Sequence, residues 1–217
     1  MADFAQLRST MVDCQVRPSD VTHYPIIEAM LSVAKEEYVP ANKRSVAYSG
    51  EHLEISPGRV VLDPRVMGKM LSAVNIQPDE TVLDLGCGLG YSAALIAHLA
   101  AMVIAVEEDE AMVEDAERIL SEQGVDNAVA IAGKLSEGAA KHGPFDVIII
   151  EGGVETVPET ILEQLKVGGR IATIVLDGSI GQCRVGRRDE NGVNWRPAFD
   201  ATAPKLRGFE KKSEFVF

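Results

Sequence analysis

The residues of this sequence with the clearest chemical potential are three closely spaced glycines and the acidic side chains near them. The glycine loop reads Gly86-Cys87-Gly88-Leu89-Gly90. It follows an apolar run that contains Asp84, and it precedes the apolar helical pattern that starts at Tyr91. Glycine permits sharp turns and lets a ligand approach the backbone without meeting a Cβ atom, while the first turn of a helix offers free N–H groups. Because open α/β sheets bind ligands beyond the carboxyl ends of their strands, we predict a ligand site at this loop.

The spacing of the glycines indicates which ligand the loop binds. A dinucleotide site has the pattern G-x-G-x-x-G, whereas the third glycine here comes one residue early, at Gly90. S-adenosylmethionine has no pyrophosphate, so such a loop can pack against its amino acid and ribose. Asp84 is placed to bind the ammonium group, and Glu107, 21 residues after Gly86, can accept both ribose hydroxyls. We therefore expect S-adenosylmethionine as cofactor; the alternative is a structural turn with a solvated charge at Glu107.

The predicted adenine side of this site is less usual. The segment after the third predicted strand is Gly133-Lys134-Leu135, where many methyltransferases have an acidic residue. Lys134 cannot accept a hydrogen bond, so either backbone groups hold the adenine or Lys134 is a surface charge. Glu108 can line the site or belong to a solvated helix start. The candidate cofactor-binding residues are Asp84, Gly86, Cys87, Gly88, Leu89, Glu107, Glu108, Lys134 and Leu135.

The elements that position these residues alternate between strand and helix after residue 75. Short apolar runs predict strands over 81–85, 102–106, 128–132, 145–150 and 169–176, and amphipathic patterns predict helices over 91–101, 109–123 and 157–165. An Asn-Gly pair within 189–192 predicts a hairpin between 183–188 and 193–199. The fold class is therefore α/β: a doubly wound, Rossmann-like methyltransferase sheet, mostly parallel, with a C-terminal antiparallel hairpin.

The first 75 residues have a different pattern. Helices are predicted over 21–33 and 65–74, separated by an irregular, proline-containing stretch over 36–64. We interpret 1–75 as an N-terminal helical and irregular section that carries a substrate segment. Residues 76–217 then form the S-adenosylmethionine-binding core.

Composition limits the classes of partner and compartment. The chain has 217 residues, 46% of them hydrophobic, and a formal net charge of −12, which disfavours a nucleic-acid partner. Three cysteines without a CxxC pair indicate free thiols in a reducing compartment, and four scattered histidines argue against a metal site. No apolar run of signal-peptide or membrane-spanning type is present. We expect a cytoplasmic protein without membrane contact, either a monomer or a homodimer.

Three further segments resemble the protein-L-isoaspartate O-methyltransferase family. Residues 33–40, VAKEEYVP, resemble the family's V-P-R-E-x-F-V-P; the stretch that opens at Ala47-Tyr48 resembles its A-Y-x-D-x-P-L-P-I-G-x-G-Q-T-I-S-x-P; and 164–170, QLKVGGR, match Q-L-x-x-G-G-R. The resemblance runs from Met11 to Ile174. It implies protein repair by methyl transfer from a sulfonium to a carboxylate oxygen of a protein or peptide. An ionised carboxylate is already nucleophilic, so no catalytic base is predicted.

The departures from the family lie in the predicted acceptor segment. The family's Q-T-I-S reads Arg59-Val60-Val61-Leu62, and its G-D-G reads Gly133-Lys134-Leu135. We take Arg59, Val60, Val61 and Leu62 as candidate substrate residues. A buried carboxylate needs donors, so either Arg59 supplies a new one or it faces solvent. Three hypotheses stay open: an isoaspartyl methyltransferase with altered contacts, a methyltransferase with another acceptor, and a cofactor-binding relative without catalysis. The lost polar side chains predict weak isoaspartyl activity.

Overall fold

The N-terminal section combines helices with a small hairpin. A computed structural model describes residues 3–178 and 180–211. The elements before the main sheet are α1 (Phe4–Met11), α2 (Tyr24–Ser32), β1 (Leu53–Ser56), β2 (Arg59–Val61) and α3 (Pro64–Val74). Asp63 caps α3 by accepting a hydrogen bond from the Arg65 N–H at 2.8 Å. The two predicted helices are confirmed with small shifts at their ends, whereas α1 and the antiparallel β1–β2 hairpin lie where no element was predicted.

The second part of the chain forms the main sheet. Its elements are β3 (Thr81–Leu85), α4 (Tyr91–Ala97), β4 (Met102–Glu107), α5 (Glu110–Glu122), β5 (Ala128–Ala132), β6 (Phe145–Val154), α6 (Glu159–Leu162), β7 (Leu165–Asp177), β8 (Ile180–Asp189) and β9 (Gly192–Asp200). The strand order is β5-β4-β3-β6-β7-β8-β9. The first five strands are parallel, and β7, β8 and β9 pair antiparallel. The predicted fold class and C-terminal hairpin are confirmed.

Alternation of side chains along the central strands divides the core between the two faces of the sheet. Val147 and Ile149 of β6 belong to one buried cluster, and Ile148 and Ile150 belong to the other. The first cluster also contains apolar residues of α1, α2 and α3, so the N-terminal section covers that face. The division of the chain at residue 75 stays a prediction.

Two helices are shorter than predicted. α4 ends at Ala97 rather than at 101, and α6 has four residues rather than the nine of 157–165. The reason for the second difference is that Leu165 already pairs with Phe145 of β6, so β7 begins where the helical pattern was extended. Tertiary pairing here overrides local periodicity. Within the described part of the chain, no helix has the length and apolar character needed to cross a membrane.

The segment after β9 returns to the main sheet. The Gly153 N–H donates to the Pro204 carbonyl, and the Leu206 N–H donates to the Gly153 carbonyl, both at 2.9 Å. Leu206 lies on Gly152, where an added Cβ would be 2.6 Å from its Cγ, and Phe209 is fully buried. This packing places residues 205–207 beside the end of β6.

Candidate active site

The glycine loop connects β3 to α4 at the carboxyl edge of the sheet. Gly86, Gly88 and Gly90 have φ values of +90°, +55° and +92°, a region that favours glycine. The Gly86 N–H donates to the Val106 carbonyl at 2.8 Å, which ties the loop to β4. Cys87 is buried and Leu89 is half-buried, and both pack against the core. The sequence therefore requires glycine here for the conformation of the loop itself.

Glu107 ends β4 and links the glycine loop to the start of α5. Its Oε2 accepts a hydrogen bond from the Gly88 N–H at 2.9 Å, and its Oε1 accepts one from the Glu108 N–H at 2.8 Å. The side chain is almost completely buried. The carboxylate is therefore held in one orientation by the backbone of the two segments that flank it.

The β1–β2 hairpin lies directly on the glycine loop. The guanidinium of Arg59 forms an ion pair with Glu107 Oε2. A Cβ built on Gly86 would lie 3.1 Å from both Nη1 and Nη2 of Arg59, and a Cβ on Gly88 would lie 2.5 Å from Cδ1 of Ile55. The open backbone of the loop is thus filled by two side chains of this protein.

Two buried carboxyl groups lie close to this ion pair. Asp84 Oδ2 accepts a hydrogen bond from the Ser92 hydroxyl at 2.6 Å. Burial raises the pKa of Asp84 to about 7; the Ser92 hydrogen bond opposes the rise, the Glu107 charge adds to it, and the Arg59 charge opposes it. Burial also raises the pKa of Glu151, as does the charge of Asp84, while the Arg59 charge lowers it.

Glu151 was not identified from the sequence. It follows the apolar run Phe145–Ile150, so it occupies the carboxyl end of the core part of β6, as Glu107 does on β4. An acidic residue at that position was the available signal. Sequence reasoning also missed Lys205 and Arg207, which have no local motif and reach the site only through the returning segment.

A cleft of about 430 Å³ opens beside the Arg59–Glu107 pair. It is bounded by the hairpin at 56–59, by 107–109 with Met112, by Leu135, and by 205–207. A second cavity of about 440 Å³ adjoins Glu108, Lys134 and Arg207. Lys134 is exposed and donates to Glu137 at 2.7 Å, and the Leu135 N–H donates to Glu108 at 3.4 Å.

The structure separates the four predicted substrate residues. Arg59 lines the cleft, whereas Val61 and Leu62 are buried in the core and Val60 is half-buried. Among the predicted cofactor residues, those of the glycine loop and Glu107 lie together under the hairpin. Glu108 and Leu135 line the cleft, and Lys134 lines the adjoining cavity.

Comparison with known proteins decides the family. Residues 7–195 match the family model described as protein-L-isoaspartate(D-aspartate) O-methyltransferase. The chain belongs to this family. It is therefore an S-adenosylmethionine-dependent methyltransferase, as the glycine loop predicted.

Relatives from several bacteria agree with this assignment. A protein-L-isoaspartate O-methyltransferase of Koribacter versatilis is 35% identical over 171 residues, covering 79% of this chain and 77% of the relative. A protein-L-isoaspartate O-methyltransferase of Jannaschia sp. is 36% identical over 155 residues, covering 71% of this chain and 70% of the relative.

Solved structures of methyltransferases that carry the same family name share the fold. One protein-L-isoaspartate O-methyltransferase is 23% identical with a TM-score of 0.81, covering 93% of this chain and 66% of the other. A structure from Plasmodium falciparum, in complex with S-adenosyl-L-homocysteine, is 18% identical with a TM-score of 0.79. The match covers 95% of this chain and 99% of the other. At these identities the likeness concerns the fold.

Proposed function

We propose that S-adenosylmethionine binds at the carboxyl edge of the sheet, between the glycine loop and the cleft. Glu107 is the residue for the ribose hydroxyls, Asp84 for the ammonium group, and Glu108 and Leu135 flank the adenine. The observation that carries this proposal is the position of Glu107, buried at the end of β4 and fixed by the Gly88 N–H. Asp84 Oδ1 fits the assignment, because it is buried without a hydrogen-bond partner among the residues that the structure describes.

The reaction that this site supports is methylation of an isoaspartyl carboxylate in a protein or peptide. An acceptor carboxylate oxygen forms a bond to the methyl carbon while the carbon–sulfur bond breaks, and that electron pair stays on sulfur. The products are a methyl ester and S-adenosylhomocysteine. The acceptor is already an anion, so alignment and exclusion of water are sufficient and no base is required.

The cationic side chains at the cleft suit an anionic acceptor. Arg59, Lys205 and Arg207 line it, and each can donate to a carboxylate. Val61 and Leu62 lie in the core, which leaves Arg59 as the donor that the acceptor segment itself offers. We further propose that the protein acts in the cytoplasm as a monomer or homodimer, without a nucleic-acid partner.

A second candidate function is cofactor binding without methyl transfer. The observation that favours it is the lack of free donors in the acceptor segment: Val61 and Leu62 are buried in the core, and the guanidinium of Arg59 is paired with Glu107. A methyltransferase with a different acceptor is the remaining alternative.

Labelled methyl transfer distinguishes these functions. With S-adenosylmethionine labelled in the methyl group, we expect base-labile incorporation into an isoaspartyl peptide and none into the matched aspartyl peptide. The rate should be low, because Val60, Val61 and Leu62 stand where the family's Q-T-I-S run has polar side chains at its second and last positions. Cofactor binding in calorimetry without incorporation would favour the second candidate. No binding at millimolar S-adenosylhomocysteine would contradict both.

A further inference from the structure

Three buried carboxyl groups lie within range of one guanidinium charge at the glycine loop. Asp84, Glu107 and Glu151 are each less than a tenth exposed. Arg59 pairs directly with Glu107, and its charge also acts on Asp84 and Glu151. Its own side chain is 16% exposed. A buried carboxylate requires a compensating charge, and Arg59 is the residue of the hairpin that supplies it to Glu107.

The hydrogen bonds of this cluster are incomplete. Asp84 Oδ1, Glu151 Oε1 and Arg59 Nε are all buried, and none has a partner within residues 3–178 and 180–211. Buried polar atoms normally have hydrogen-bond partners. Three unpaired atoms on neighbouring side chains therefore indicate that the carboxylates make their full set of hydrogen bonds in a different arrangement. A ligand with several N–H or O–H donors would satisfy the carboxylates better than one guanidinium does.

The side chains of Arg59 and Ile55 occupy the space over two glycines of the loop. The two terminal guanidinium nitrogens lie 3.1 Å from the position that a Cβ on Gly86 would take, and Cδ1 of Ile55 lies 2.5 Å from the corresponding position on Gly88. A ligand that uses the open backbone of these glycines must therefore displace both side chains. The two belong to opposite strands of one hairpin, joined at Gly58 (φ +73°), so they can move as a unit.

We propose that Arg59 is an internal competitor of the cofactor, and that Glu151 becomes a ligand of the cofactor's ammonium group once Arg59 leaves. The inference rests on the proposed cofactor site. Binding exchanges one cation for another: the guanidinium withdraws with the β1–β2 hairpin, and the ammonium and sulfonium charges take over the compensation of the carboxylates. Breaking the Arg59–Glu107 ion pair costs free energy, and this cost weakens the binding of the cofactor.

This exchange also makes the site selective for charge. S-adenosylmethionine carries one more positive charge than S-adenosylhomocysteine, whose sulfur is neutral. With Arg59 absent, the carboxylates lack their internal cation, so the positively charged cofactor should gain more affinity than the neutral product. A purely steric obstruction by Arg59 would improve the binding of both ligands equally.

Calorimetry on variants of the full-length protein tests the proposal. We expect Arg59→Ala to bind S-adenosylmethionine at least about tenfold more tightly than wild type, the scale of a lost buried ion pair, with a smaller gain for S-adenosylhomocysteine. Arg118→Ala is the matched control, since it removes an exposed arginine of α5 whose side chain is 54% accessible. Arg59→Gln, which keeps a donor for Glu107 but loses the charge, replaces Arg59→Ala should the alanine variant not fold.

The outcomes separate this proposal from the proposed function. If wild type binds both ligands but Arg59→Ala and Arg59→Gln bind equally or more weakly, the competition is wrong and the cofactor site stands. If no variant binds either ligand, the proposed cofactor site is wrong as well. Glu151→Gln should raise the Kd for S-adenosylmethionine at least about threefold. An unchanged Kd would show that Glu151 is not a ligand of the cofactor.

Discussion

Asp84 shows how burial and charge compete at a single residue. Its carboxyl group is completely buried on β3, where one oxygen accepts the Ser92 hydroxyl and the other has no partner in the described part of the chain. In the unfolded chain the same carboxyl group is solvated and titrates near its ordinary pKa of about 3.9. Folding therefore raises the proton affinity of this residue, and stability must depend on pH through it.

We predict that the unfolding free energy of Asp84→Asn increases relative to that of wild type as the pH rises from 5 to 8. The folded-state pKa of about 7 exceeds the unfolded value, so the native state binds more protons between the two. The stability that this protonation contributes is complete below the unfolded pKa and is lost as the pH rises through the folded pKa. The difference in unfolding free energy should grow by about 2 kcal/mol over this range, measured by urea unfolding.

The control for this series is Asp126→Asn, which removes a carboxylate from the exposed surface. A wild-type to Asp84→Asn difference that stayed constant with pH would mean that Asp84 remains charged throughout. The titration matters for function, because the proposed ammonium ligand is fully ionised only above neutral pH.

At the scale of elements, the segment 164–170, which carries the Q-L-x-x-G-G-R motif, holds separate parts of the fold together through the side chains at its two ends. Gln164 bridges three backbone groups: its Oε1 accepts from the Ala139 N–H at 2.8 Å, and its Nε2 donates to the Glu137 and Thr160 carbonyls at 2.8 and 2.7 Å. Arg170 donates to the Val74 carbonyl at 2.9 Å. One short segment thus holds both the loop after β5 and the end of α3 against β7.

Gln164→Leu should destabilise the protein by about 2–4 kcal/mol. The substitution leaves the buried Ala139 N–H and the partly buried Glu137 carbonyl without their side-chain partner, and an unsatisfied buried group costs roughly 1–3 kcal/mol. Chemical denaturation measures the loss, with Glu163→Ala, on the exposed neighbour, as the control. A change below 0.5 kcal/mol would mean that the loop at 134–139 is held by other contacts.

At the scale of the molecule, the site is assembled from parts of the chain that are far apart in sequence. The hairpin at 53–61, the loops after β3 and β4, the end of β6 and the segment 205–207 meet at one edge of the sheet. Phe209 anchors the last of these segments: it is fully buried, and its carbonyl accepts hydrogen bonds from the N–H groups of Glu155 and Thr156 at 3.0 and 3.1 Å.

Phe209→Ala should lower the unfolding free energy by about 3–5 kcal/mol, the usual cost of removing a buried phenylalanine side chain. Because Lys205 and Arg207 depend on this anchor, the variant should also raise KM for an anionic peptide acceptor. Thermal unfolding and peptide kinetics provide the two measurements. Tyr24→Ala is the control, since this aromatic residue is 68% exposed. Stability equal to that of wild type would show that the segment does not depend on Phe209.

The sequence by itself determined the local parts of this protein. Three glycines between an apolar strand and a helix specified the loop, and the positions of Asp84 and Glu107 at strand ends followed from the same pattern. The periodicity of apolar residues specified the strands and helices, and the Asn-Gly pair specified the antiparallel hairpin. Each of these signals depends on residues that are near one another in the chain.

Tertiary structure alone decided what meets at the site. Arg59 and Glu107 are 48 residues apart, and Glu151 and Arg207 are farther still from the glycine loop. Their contacts depend on how the hairpin, the ends of β4 and β6, and the returning segment pack at one edge, and no local pattern records that packing. Side chains such as Leu62, which sequence comparison assigned to the acceptor segment, lie in the core for the same reason: burial is set by the surrounding fold and not by the neighbours in the chain.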